Sequence, residues 1–263
     1  MHLINFADKK FRDAQILNTK TALSKGGFEN VFECNPDFID KKFLKKYSQI
    51  FSSPTGYGYW LWKPYFIKKC LSSISNGEIL IYADSGSYFI RSAKPLAELT
   101  NVYKQDIIPF SLPYMEESWT KRDAFVLMSC DNLNFRKEPQ RLGGFIVIKK
   151  SKFSIRFVDE YLKYCLNKNI LTDIENLSQR KNYKTFVEHR HDQSVFSLLS
   201  KKYKLQAFRD PSQFGNNQIN YFSNSKYCQI LELTRKRRYG VVCRFFLFIF
   251  RNIECFFIRL LKK

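Results

Sequence analysis

Three short apolar runs punctuate the first third of the chain, each closed by a polar stop: "HLINFAD" (2–8), "NVFECN" (30–35) and "EILIYADSG" (78–86). Unbroken apolar runs of this length are the signature of strands buried on both faces. Helical stretches separate them. Residues 9–25 form a polar helical stretch closing at Gly26-Gly27, and residues 37–51 look helical. "SSPTGYGYW" (52–60) reads as a loop, and "LWKPYFIKKCLSSI" (61–74) as a helix that starts near Pro64 and stops at Asn76-Gly77. Strand–helix–strand–helix–strand alternation predicts an α/β fold with a mainly parallel central sheet. Farther on, "RDAFVLMSC" (122–130) is an apolar segment, "GGFIVIKK" (143–150) another strand, and 151–167 a helix. A polar, Asn-rich run follows at 210–227.

The segment "VEHRHDQSVFSLLSKKY" (187–203) departs from this simple patterning. Val195, Phe196, Leu198 and Leu199 recur as on one face of an amphipathic helix, with Asp192 or Ser194 as its expected N-cap. Directly before them stand Glu188, His189, Arg190, His191, Asp192 and Gln193, including two of the chain's three histidines. A cap accounts for one or two of these six polar residues. The rest make this segment a candidate site. Two other candidates follow from topology: ligands of parallel sheets bind at the carboxyl ends of strands, where Asp8 and Asp84 both fall.

Composition narrows the class. The 263 residues are 44% hydrophobic, enough for one substantial core, and only 10 Gly and 8 Pro argue against disorder or repeats. No linker interrupts residues 1–234, which read as one domain. Seven singly spaced cysteines suit a reducing cytosol rather than a disulfide framework or structural zinc. "MHLINFADKKF" lacks the pattern of a signal peptide. A net charge of +20 points to an anionic partner. Nucleic acid is one alternative, since 15 Tyr and 26 Phe could stack on bases. No RNA-binding module is recognisable, and the acidic and amide-rich site segments suit a polyanion poorly. A nucleotidyltransferase would need a glycine-rich phosphate loop after the first strand, which "FADKKFRDAQ" lacks.

Residues 235–263, "RKRRYGVVCRFFLFIFRNIECFFIRLLKK", form a distinct tail. Arg244, Arg251, Glu254 and Arg259 interrupt its apolar run, and a central Arg costs ~2.5–3.5 kcal/mol in a membrane span. An in-plane amphipathic helix is the better expectation: Phe and Leu sink into the leaflet, and the flanking Arg and Lys face anionic headgroups. The competing expectation is a helix docked on the domain's own core.

"IYADSG", "GYGYWLWKP", "WTKRD", "GGFIVI" and "HRHDQSVFSLL", in that set, resemble GT-A-type glycosyltransferases of bacterial surface-polysaccharide (lipopolysaccharide or capsule) gene clusters. They are distantly similar to the glycogenin and lipopolysaccharide galactosyltransferase family. The likeness spans roughly residues 1–205. It implies a sugar transferase, with a hexose moved from a nucleotide-diphosphate sugar, a UDP-sugar first, to a glycan or lipid-linked glycan. It further implies a cytoplasmic enzyme, peripheral on the inner face of the membrane. Phe6, Ala7 and Asp8 match the strand end that holds the nucleotide. Asp84 and Ser85 match the position of a metal-binding acidic motif, with Gly86 where a second Asp would stand. Mn²⁺ or Mg²⁺ is thus the implied cofactor, held by Asp84 and in one version also by His191. Gly143 and Gly144 match the floor of the sugar pocket, and Asp192 and Gln193 a segment beside the transferring sugar.

The chemistry makes these residue types intelligible. Glycosyl transfer builds negative charge on the departing diphosphate, which a metal, Lys or Arg must offset. Lys63, Lys121 and Arg122 are the expected basic groups. Trp60 and Trp62 are expected to stack on sugar or base, with His189 and His191 beside them. An inverting reaction needs a carboxylate base, for which Asp192 or Glu188 would serve.

Overall fold

The computed structural model describes residues 1–234; the expected membrane helix of 235–263 lies outside the described residues. The main elements in chain order are β1 (His2–Phe6), α1 (Arg12–Thr21), β2 (Asn30–Cys34), α2 (Trp62–Ser73), β3 (Ile79–Ala83), β4 (Ser87–Phe89), α3 (Lys94–Val102), β5 (Ile107–Ile108) and β6 (Phe110–Met115). There follow α4 (Arg122–Leu127), β7 (Pro139–Arg141), β8 (Phe145–Lys149), α5 (Lys152–Cys165), α6 (His191–Lys202), β9 (Phe208–Arg209) and β10 (Leu231–Leu233). The three runs that opened the sequence are β1, β2 and β3.

The central sheet has the order β2-β1-β3-β8-β5. β1 pairs in parallel with β2 and β3, while β8 runs antiparallel to both β3 and β5. Four of the five strands therefore share a direction and β8 is reversed. That reversal matters for the site: it brings the start of β8, with Gly143 and Gly144 just before it, to the carboxyl ends of β1 and β3. The apolar segment 122–130 forms α4 followed by a turn.

Period-two alternation within each strand separates two cores. Ile4, Leu80, Tyr82, Ile146 and Ile148 face a cluster built with α2, α5 and α6. Leu3, Ile81, Ala83, Phe145 and Val147 face the opposite cluster, which includes Leu96 and Leu99 of α3. A sheet covered on both sides needs near-continuous apolar strands, which is why no polar stripe marks them. Among the described residues, no helix is long and apolar enough to cross a membrane.

Candidate active site

Asp84 follows β3 directly, and its backbone N–H donates to the Gly144 carbonyl at 2.9 Å. Its carboxylate sits in the open, with the side chain 45% exposed. One oxygen, Oδ1, accepts from the Tyr82 hydroxyl at 2.5 Å and lies 4.0 Å from Lys63 Nζ. The other, Oδ2, is 2.8 Å from where a Cβ on Gly144 would stand. A side chain at Gly144 would displace the carboxylate from this position.

Lys63 enters from the first turn of α2. Its ammonium makes a 2.6 Å ion pair with Asp192 Oδ2 and donates to the Gly143 carbonyl at 3.0 Å. Both side chains of the pair are only 4% exposed. Tyr161 of α5 completes the cage, its hydroxyl donating to Asp192 Oδ2 at 3.0 Å. Burial disfavours the lysine's charge, but Asp192 and then Asp84 outweigh it and hold the ammonium above its ordinary range. For Asp192 the balance is opposite: burial pushes the carboxyl up further than Lys63 draws it down, and Asp84 adds repulsion. The asymmetry is physical, since Lys63 faces two carboxylates whereas Asp192 faces one ammonium. Burial, reinforced by Asp84 at Tyr82 and by Asp192 at Tyr161, keeps both phenols protonated and donating.

Gln193 closes the edge. Its Oε1 accepts from the Gly143 N–H at 3.0 Å, and its Nε2 donates to Gln140 Oε1 at 2.7 Å. A Cβ on Gly143 would meet Gln193 Cβ at 2.8 Å, so this glycine too marks a close approach. Gln140 is itself oriented from behind, its Nε2 donating to Glu116 Oε1 at 3.0 Å. Glu116 is fully buried and also accepts from Thr120 at 2.6 Å, from Lys201 at 2.8 Å and from Ser197. The Gln193 amide is thus held in one orientation by a chain of buried hydrogen bonds.

The expected N-cap is not formed. α6 begins at His191 behind Arg190, without a side-chain cap, because the Asp192 carboxylate is committed to Lys63 and Tyr161. His191 carries φ +50°, an uncommon conformation for a side chain with a Cβ. Its Nδ1–H donates to the Leu171 carbonyl at 3.0 Å, and its ring stacks on Trp60 at 5.5 Å. His189 is fixed in the other tautomer: Nδ1 accepts the Lys121 N–H at 3.2 Å and Nε2–H donates to the Ile170 carbonyl at 2.8 Å. Burial and then His191 hold His189 well below the ordinary histidine range, so it stays neutral.

The stretch read as a loop contains a left-handed helical turn. Gly56, Tyr57, Gly58, Tyr59 and Trp60 have φ of +55°, +53°, +83°, +54° and +59°. Left-handed helical backbone costs about 1–2 kcal/mol for each residue bearing a Cβ, here three of them. Hydrogen bonds from Tyr59 N to Thr55 O at 2.7 Å and from Trp62 Nε1 to Gly56 O at 2.8 Å help to offset this. The turn sets the Tyr59 and Trp60 rings against His191, at 4.9 and 5.5 Å.

Other expected site residues fall elsewhere. Trp62 is stacked on Phe6 at 3.8 Å inside the core, and both rings are buried. Ala7 is buried, and Ser85 Oγ donates to the Phe6 carbonyl at 2.6 Å, tying the ends of β1 and β3 together. Asp8 caps the following turn by accepting from Lys10 N and Phe11 N. Lys121 Nζ donates to the carbonyls of Thr172 at 3.1 Å and Ile174 at 2.7 Å, and Arg122 binds Asp131 at 3.0 Å. Neither makes its contacts at the Asp84 edge. Glu188 pairs with Arg190 at 2.7 Å. Tyr82, Tyr161, Gln140 and Glu116 were not anticipated: a tyrosine in an apolar strand or amphipathic helix carries no sign that its hydroxyl serves a site.

Among the described residues, no three His, Cys, Asp or Glu side chains gather to hold a metal. Asp84 offers one unshared oxygen, which suits a Mg²⁺ or Mn²⁺ carried largely by a ligand's own phosphates and water. His191 spends Nδ1–H on the Leu171 carbonyl, which leaves Nε2 as its ligating nitrogen.

No family model matches the sequence, and no curated protein matches it in sequence. Solved structures do. Galactosyltransferase LgtC, in complex with donor and acceptor sugar analogues, aligns over 89% of this chain and 86% of its own, with TM-score 0.50 and 12% identity. The chain has the GT-A glycosyltransferase fold. Mouse xyloside xylosyltransferase 1, in its apo form, aligns over 88% of this chain and 96% of its own, with TM-score 0.49 and 10% identity. At 12% identity the likeness to LgtC speaks for the arrangement of elements alone.

Proposed function

We propose that the protein is a glycosyltransferase that moves a sugar, a hexose in the first instance, from a nucleotide-diphosphate donor to a hydroxyl of a glycan acceptor. The observation that carries this reading is the convergence of Asp84, Gly143, Gly144, Lys63, Asp192 and Gln193 on one sheet edge. In the reaction the anomeric C–O bond to the diphosphate breaks, a bond to the acceptor oxygen forms, and the acceptor hydroxyl's proton passes to the departing diphosphate.

Each group has a distinct part. Asp84, the exposed carboxylate at the strand end, takes the donor's ribose or phosphate side. A divalent ion there would neutralise charge on the leaving diphosphate, with Asp84 as its protein ligand. The two glycines let the sugar lie against backbone. Gln193, immobilised through Gln140, presents its remaining N–H to the sugar. Asp192, held through Oδ2 by Lys63 and Tyr161, acts as a fixed negative charge near the carbon that becomes cationic. We place the acceptor on a lipid carrier at an anionic membrane surface, in bacterial surface-polysaccharide synthesis, on the strength of the basic, apolar segment 235–263.

The test is a thermal-shift panel of UDP-, GDP-, CMP- and dTDP-sugars with and without Mn²⁺, followed by release of free sugar from the donor that binds. Binding raises the melting temperature by mass action. Asp84→Ala is expected to abolish turnover and leave the apo melting temperature in place. A wild-type protein that no nucleotide sugar stabilises would sink the reading. Removing residues 235–263 is expected to abolish flotation with anionic liposomes while preserving the donor shift.

A further inference from the structure

A cavity of about 420 Å³ is lined among others by Lys121, Asp173, Glu175, Phe186, Glu188 and His189. Its size is in the range of small-molecule sites. One chain segment joins it to the candidate active site: Glu188 and His189 face the cavity, and Asp192 and Gln193 stand at the Gly143 edge. The His189 and His191 rings meet edge-on at 5.2 Å, and Trp60 stacks on His191. A ligand against His189 is therefore linked to Trp60 through the His191 ring, and Asp192 and Gln193 follow in the same segment.

The lining has a definite chemistry. Phe186 is half-buried yet belongs to neither hydrophobic cluster and has no aromatic neighbour among the described residues. With Ile174 it gives the cavity an apolar side, which suits the C–H face of a pyranose. Asp173 and Glu175 supply carboxylate acceptors, and Glu175 has no ion-pair partner among the described residues. Lys121 has three N–H donors, two of them taken by Thr172 and Ile174. Acceptors around one apolar face match a ring of hydroxyls. With Glu188 paired to Arg190, Asp173 and Glu175 still outnumber the single lysine and disfavour phosphate and uronate, against the charge of the chain as a whole.

We propose that this cavity is a subsite for an uncharged saccharide and serves as the acceptor side of the reaction, an inference that rests on the transferase reading above. It accounts for the crowding of polar residues at 188–193: the segment serves two sites, one at each end.

The experiment is saturation-transfer-difference NMR on the intact protein with lactose, cellobiose, N,N′-diacetylchitobiose and, as the charged control, a methyl glucuronide. At least one neutral disaccharide is expected to show transfer and the glucuronide none. Phe186→Ala and Glu175→Gln are each expected to weaken binding about tenfold. Glu175 is exposed, so its variant tests the site even if Phe186→Ala folds poorly. Absence of transfer to every neutral disaccharide, equal binding of the glucuronide, or unchanged binding in both variants would overturn the proposal. Thermal shift by nucleotide sugars separates the two readings. A donor shift without saccharide binding removes only the cavity's role, and saccharide binding without a donor shift removes the transferase.

Discussion

Replacing Lys63 by methionine removes the ammonium from a pair whose two side chains are each 4% exposed. Asp192 is left with the Tyr161 hydroxyl and, across the edge, Asp84. Breaking a buried pair from one side costs about 3–5 kcal/mol. A second route to the magnitude agrees. An isolated buried carboxylate escapes its desolvation penalty by binding a proton, and Asp192 already sits above the ordinary value of 3.8. Holding it neutral costs about 1.4 kcal/mol for each pH unit above that value, hence about 4.4 kcal/mol at pH 7 and about 1.6 kcal/mol at pH 5. The sign follows from proton counting. Between those pH values the folded variant binds more protons than its unfolded chain, so its stability falls as pH rises. Urea unfolding of wild type and Lys63→Met at pH 7 and pH 5 checks this. The deficit should shrink by up to about 3 kcal/mol at the lower pH, the wild-type carboxyl being itself raised. The double variant Lys63→Met/Asp192→Asn should recover much of the loss and lose the pH dependence. A deficit under about 1 kcal/mol at pH 7, or one equal at both pH values, would refute a buried pair at this place.

Three further outcomes follow from particular contacts. Gln140→Met should lower kcat about 10²-fold with little change in donor affinity, because a loosened Gln193 amide misplaces the sugar rather than the nucleotide; equal losses in kcat and donor binding would contradict its positioning role. In Gly56→Ala the added Cβ would lie 2.3 Å from the Trp60 ring. A loss of at least about 2 kcal/mol in urea unfolding is expected, and an unaffected variant would exclude the left-handed turn. At Asp131 burial raises the carboxyl, but bonds from Tyr183, Arg122 and Arg180 more than cancel it and hold the group below 3.8. Its contribution is therefore present above 3.8 and lost as pH falls through the folded value, so Asp131→Asn should flatten the acid limb of the stability profile; a profile parallel to wild type would argue against those bonds.

The sequence by itself determined the α/β class, the three opening strands, the helices near 62–73 and 152–165, and Asp84 at a strand end. These are consequences of local periodicity, which a strand buried on both faces or an amphipathic helix must display wherever it lies in the fold. It also marked 188–193 as overloaded with polar groups. Tertiary structure alone decided what those groups face. A lysine in α2 and an aspartate at the start of α6, 129 positions apart, become one buried pair only because β8 runs backward and carries Gly143 between them. Lys121 and Arg122 carry the same charge as Lys63 in the sequence, yet local carbonyls and Asp131 claim them. Nor does composition reveal a left-handed turn at 56–60, since three of its five residues bear a Cβ and adopt it against their own preference. Charge, burial and strain are properties of neighbours, and neighbours from distant parts of a chain are set by packing.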